Sequence, residues 1–153
     1  MAWSDAARAA ALEARRLHAQ HTVDRTHRAT ASHKPSTKAK QVVAQIMEGR
    51  VRQALGVRQA MVPGYPVDAR GRGWGVEIKT IMDNKNSKIT MHPSSIARKT
   101  AWSKSNKSRL STVAVDMQRG GAVFFHAGVG AFRMRGMTQV RNATHLRQLV
   151  KGM

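Results

Sequence analysis

Apolar positions recur at different periods along the chain, and the changes of period mark its predicted elements. From Ser4 to about position 27 the residues are mainly Ala, Arg, Leu and Glu, all good helix formers. Ser4 is placed to cap this helix and Asp5 suits its positive end. Its large apolar residues are few, Leu12, Leu17 and Val23, and make no continuous stripe, so the segment reads as an arm rather than a core element. "TASHKPSTK", Thr30 to Lys38, gathers small polar residues around a proline and predicts a linker. From about Lys38 to Leu55 the pattern changes. Val42, Val43, Ile46, Met47, Val51 and Leu55 return at helical spacing as one apolar face, with Glu48 at its border and Gly56 placed to end it.

Beyond Gly56 the period shortens to that of strands. Ala60 to Val67 predicts a strand broken at Pro63-Gly64, and "ARGRG" (69–73) a turn. Trp74 to Met82 alternates, with Val76, Ile78 and Thr80 on one face and Glu77, Lys79 and Ile81 on the other. "DNKNS" predicts a polar turn in which Asp83 is a turn former, and Lys88 to Met91 a short strand. "HPSS" predicts a helix start capped by Ser94 or Ser95, running through Trp102 to about Ser105. "LSTVAVDM", Leu110 to Met117, is almost continuously apolar, as a strand buried on both faces should be. "AVFFHAGV" and "GAFRMRGM" then predict an antiparallel hairpin, and a short helix from about Asn142 closes the chain. This order predicts an α+β (mixed α/β) domain over 38–153, a central mixed sheet flanked by helices, behind a basic helical arm over 1–34.

Charge changes the picture more than any other compositional feature. Among 153 residues, 27 Lys and Arg face 8 Asp and Glu, a net charge of +19. Such a surface neutralises phosphates and releases their counterions, which points to nucleic acid, DNA first, as partner. The absence of cysteine rules out disulfides and thiolate metal sites. No apolar run is long enough for a membrane span, and the Ala/Arg-rich start carries no apolar core of a secretory signal. The candidate phosphate contacts are Arg70 and Arg72 in the predicted turn, with Arg98, Lys99, Lys104, Lys107 and Arg109 around Trp102. Trp102 itself suits packing on its helix better than stacking on a base.

Against this background Asp68, Glu77 and Asp83 crowd into one short stretch. Glu77 and Lys79 are two apart on a strand and therefore share a face. Hard oxygen ligands from Asp68 and Glu77 would suit Mg²⁺ or Mn²⁺, with Lys79 beside the reacting phosphate and Glu48 joining from the preceding helix. The competing reading is an ordinary charged pair on a half-exposed strand. A metal-free alternative uses His92 and His126 as general acid and base, against structural roles for both. His18, His21, His27 and His33 do not share one helical face and read as solvated side chains of the arm.

"PVDA" followed by "VEIK", with a core helix before and a helix–strand unit after, resembles the PD-(D/E)XK nuclease superfamily over roughly residues 38–117. The resemblance implies a restriction-endonuclease-like core, metal binding by Asp68 and Glu77, and a catalytic Lys79. "GVEIKTIMDNKNSKITMHPSSIARKTAW" and "GVGAFRM" are also similar to C-terminal regions of head-morphogenesis (minor head) proteins of tailed phages. That similarity implies phage head or connector proteins as further partners and the host cytoplasm or the virion as location. It leaves open a nuclease, a metal-free ribonuclease of the barnase/EndoU kind, and a DNA-binding assembly component.

Overall fold

The computed structural model describes residues 2–24, 37–82 and 88–152, with side chains described from Asp5 to Arg16 and from Lys38 onward. Asp83, His27 and His33 lie outside the described residues, as do the side chains of Ser4, His18 and His21. Among the described residues, four α-helices, a five-stranded mixed sheet and a two-stranded sheet make up an α+β fold. The elements are α1 (Ala2–Asp24), α2 (Thr37–Ala54), β1 (Ala69–Gly71), β2 (Trp74–Ile81), β3 (Lys88–Ile89), α3 (Pro93–Asn106), β4 (Arg109–Asp116), β5 (Ala122–Ala127), β6 (Phe132–Arg133), β7 (Thr138–Gln139) and α4 (Ala143–Lys151).

The sheet runs in the order β1-β2-β4-β5-β7. β2 and β4 are parallel, in register from Trp74 opposite Arg109 to Ile81 opposite Asp116, and α3 lies in the connection between them. The other pairings are antiparallel. β4 is central, and Ser111 to Asp116 are all buried, as its unbroken apolar run requires.

One face of the sheet carries Val76, Ile78, Val113, Val115 and Val123. α2 covers it with Val43, Met47 and Val51, and α4 with Leu146 and Val150. The opposite face has a smaller core, in which Ile81, Ala114 and Phe124 meet Ile89, Met134 and Met137. α3 is seated on that second face by Gly75. A Cβ at Gly75 would fall inside the Trp102 ring, so only glycine lets this helix approach the strand so closely.

Several local expectations are corrected. No strand forms over 60–67; Pro63 and Pro66 lack the amides a ladder needs, and Val62 is 70% exposed. "ARGRG" is not all turn: Ala69–Gly71 is β1, and the reversal is confined to Arg72 and Gly73, whose φ is +80°. α3 is capped by His92, whose Nδ1 accepts from the Ser94 amide at 3.2 Å, with Pro93 in the first turn where its missing N–H costs nothing. Phe132–Arg133 does not form a hairpin with β5. It pairs with β3, and β5 takes β7 instead. α1 begins at Ala2, so Ser4 lies within the helix. It packs on α2 through small side chains, Ala10 and Ala14 joining the main core while Leu12 is 63% exposed.

Candidate active site

β1 and β2 form a hairpin in which Ala69 faces Val76, so the next residue outward, Asp68, comes opposite Glu77. The Asp68 amide donates to the Val76 carbonyl at 2.9 Å. Its side chain then takes over from the backbone: the Ile78 amide donates to Asp68 Oδ2 at 2.8 Å. The chain leaves the sheet at Pro66 and Val67, and this carboxylate satisfies an edge amide that β1 is too short to reach.

Glu77 is 6% exposed and lies on the α3 side of β2, as Gly75 does. Lys79 Nζ is 3.1 Å from Oε1, and Lys99 Nζ, from α3, is 2.8 Å from Oε2. Oε2 has no hydrogen bond of good angle, so the Lys99 contact is ionic in distance rather than a well-aligned donation. Lys99 also donates to the Pro66 carbonyl at 2.5 Å, tying the segment that leads into Asp68 to the helix that holds Glu77. Glu48 approaches from α2 and is steadied by Arg52 at 3.3 Å, one helical turn on. Of the four residues expected to meet, Asp68 comes opposite Glu77, Lys79 contacts Glu77, and Glu48 lines one cavity with Asp68.

The two central carboxyls are driven in opposite directions. Burial, then the charge of Glu77, push Asp68 up to about 7; the Ile78 amide pulls the other way, and Glu48 adds to the rise. Burial would raise Glu77 as well, but Lys99 and Lys79 outweigh it and hold its carboxyl below the usual range. The charge that this cluster lacks is positive charge at Asp68.

Among the described residues, no group of three His, Cys, Asp or Glu side chains forms a ready-made metal cage. The donor set nonetheless fits Mg²⁺ in kind. Such an ion is commonly held by one or two carboxylates, with water and substrate phosphate completing its shell. Asp68 and Glu77 are hard oxygen donors close enough to perturb each other, and a cation beside Asp68 would relieve the repulsion from Glu77 and Glu48.

The expected phosphate contacts separate into two groups. Lys99 is 8% exposed and occupied with Glu77, so it is not part of the open basic surface. Arg98 donates to the Gly64 carbonyl, and Arg70 donates to the Tyr65 hydroxyl while lying 5.5 Å from the Trp102 ring. Trp102 is buried and donates to the same hydroxyl at 2.9 Å, a packing role. Arg72, Lys104, Lys107 and Arg109 are exposed. The Arg109 guanidinium lies against Gly152 at the end of α4.

His126 stacks on Phe132 with ring centroids 3.6 Å apart, and its Nδ1 is buried without a partner. With His92 engaged as a cap, each histidine has a structural position of its own. From sequence Lys99 is expected as a phosphate contact and not as a partner of Glu77, and Tyr65 is not singled out. A usable signal existed: Lys99 and Trp102 are three apart on one helix and so share its inward face. Compared with known proteins, the chain matches no family model, no curated protein and no solved structure.

Proposed function

We propose that this chain is a metal-dependent phosphodiester hydrolase of the PD-(D/E)XK kind that acts on nucleic acid, DNA first. The observation that carries the reading is the meeting of Asp68 and Glu77 across the β1–β2 pair, with Lys79 on Glu77 and Glu48 arriving from α2. The order α2, β1–β2 hairpin, α3, β4 also supports this reading, as a helix before and a helix–strand unit after the paired carboxylates. The similarity to minor head proteins adds a setting near packaged phage DNA.

Asp68 and Glu77 would hold Mg²⁺ or Mn²⁺, which when bound acidifies a water and offsets charge on the phosphate. The chain's own groups supply the rest. Lys79 is 36% exposed at its side chain, so its amine can leave Glu77 for a non-bridging phosphate oxygen. Lys99, buried, keeps Glu77 in place while Lys79 moves. Glu48 stands within electrostatic reach of Asp68 and can accept a proton from water there.

One observation favours a second reading, a DNA-binding assembly component that keeps the fold. Lys79 and Lys99 together already neutralise Glu77 without a metal. Incubation of the protein with plasmid and oligonucleotide DNA, with Mg²⁺, Mn²⁺ or EDTA, separates the two. The hydrolase reading expects metal-dependent cleavage, reduced about 100-fold or more by Asp68→Asn or Lys79→Ala, with DNA binding retained. Binding without cleavage under every metal condition would establish the assembly reading instead.

A further inference from the structure

α2 is a wall of two cavities, one lined by Glu48 and Asp68 and the other by Lys79. One, of about 440 Å³, lies between Gln45, Glu48 and Arg52 on the helix and the 60–65 segment, with Asp68 in its lining. The other, of about 530 Å³, is bounded by Lys40, Gln41 and Ala44 on the same helix, by Lys79 to Met82, and by Lys88 to Thr90. Asp68 lines the first and Lys79 the second, and Lys79 contacts Glu77. At 3.6 residues per turn the six α2 residues fall in one strip beside the buried strip of Val43, Met47 and Val51. From Lys40 to Arg52 that strip is about 18 Å long, the span of about five stacked nucleotide steps.

We propose that this strip of α2 walls a track for one unpaired nucleic-acid strand, laid from Arg52 to Lys40 with the reacting phosphate between Asp68 and Lys79. This rests on the phosphodiesterase reading and adds its substrate class. Three features support a single strand over a duplex. Each cavity is the size of a pocket for one small ligand, not of a channel for a helix whose major groove alone is about 12 Å wide. Charge is arranged lengthwise: Arg52 and the acids Glu48 and Asp68 line the first cavity, and Lys40, Lys79 and Lys88 the second. Between the cations, Met61 and Val62 on one side and Met82 on the other offer apolar surface to sugars and bases. Val62 in particular is 70% exposed.

The test uses the full chain carrying Asp68→Asn, so that substrate survives, and fluorescence anisotropy with a labelled DNA oligonucleotide as single strand or as blunt duplex. Charge density alone favours the duplex. The track predicts the reverse, the single strand bound ~10-fold tighter at equal salt. Ala44→Trp, which fills the wall midway, and Lys40→Glu, which inverts one end, are each expected to weaken single-strand binding about 10-fold and leave duplex binding unchanged. Helical circular dichroism checks that both variants fold. Duplex binding as tight as single-strand binding would overturn the track, as would single-strand binding unaffected by either variant. Hydrolysis is scored separately with the parent chain and Mg²⁺. Cleavage of duplex as fast as single strand keeps the hydrolase and removes the track, whereas intact DNA with the single-strand preference preserved does the opposite.

Discussion

Glu77 has an amine at each oxygen, Lys79 at 3.1 Å and Lys99 at 2.8 Å, whereas Asp68, directly across the strand pair, has one backbone amide. Two like groups a strand apart thus have opposite tendencies, and only Asp68 is left opposing the fold at neutral pH. Its folded value, about 7, exceeds its ordinary 3.8, so the folded chain holds this proton longer than the unfolded chain does. Stability from this residue therefore falls as pH rises from about 4 to about 7 and is level above that. In metal-free buffer Asp68→Asn should match the parent near pH 4 and exceed it at pH 8 by on the order of 2 kcal/mol, as urea titrations at both pH values would show. A constant difference across that range would mean that Asp68 is solvated and ionised throughout. That Glu77 and Lys79 share a face was legible in the sequence because strand alternation is a local rule. That Asp68 lies opposite Glu77 was not, since the preceding strand is expected over 60–67 from sequence and forms at 69–71. Nor was Lys99, since its partner is twenty-two positions away and "ARK" looks like any solvated basic run.

Periodicity served well where large side chains carry it. α2 and β4 lie close to where their patterns place them, because Val43, Met47, Val51 and the 111–116 run are what the core is made of. It served poorly where small residues do the packing or a rare contact decides the pairing. α1 reads as an arm because Leu12, Leu17 and Val23 form no stripe, yet Ala6, Ala7, Ala10 and Ala14 are its buried residues. Close helix approach through alanine leaves no trace in a search for bulky apolar positions. Ala10, at 0% exposure, has no space for a larger side chain, so Ala10→Leu should cost about 1–3 kcal/mol by overpacking. Leu12→Ala, on the exposed side, should stay within about 0.5 kcal/mol of the parent. Thermal melts of both variants check the pair; the reverse ranking would detach α1 from α2. The partner of Phe132–Arg133 was hidden for a different reason. Two-residue strands have too little pattern to announce whether β3 or β5 receives them.

At the scale of the whole molecule, the proposed affinity for nucleic acid and the proposed chemistry at the carboxylates would draw on different residues. Arg72, Lys104 and Lys107 are exposed and contact none of the site's acids, and a net charge of +19 spreads well beyond them. Duplex DNA binding should therefore weaken steeply with salt, with a log–log slope of several units at ~0.9 per phosphate neutralised. Asp68→Asn should leave that slope unaltered in an anisotropy titration, and a flat response would remove the case for a phosphate-binding surface.

The outer strands of the sheet have a further consequence. β1 has three residues and β7 two, and the small β3–β6 sheet is two residues wide on each side. Another chain meeting either border finds only a few backbone groups to zip onto, and one inviting amide, that of Ile78, is already taken by Asp68. Along these borders the two sheets are thus guarded against the edge-to-edge growth that ends in fibres, and the carboxylate at the centre of the proposed chemistry is part of the guard.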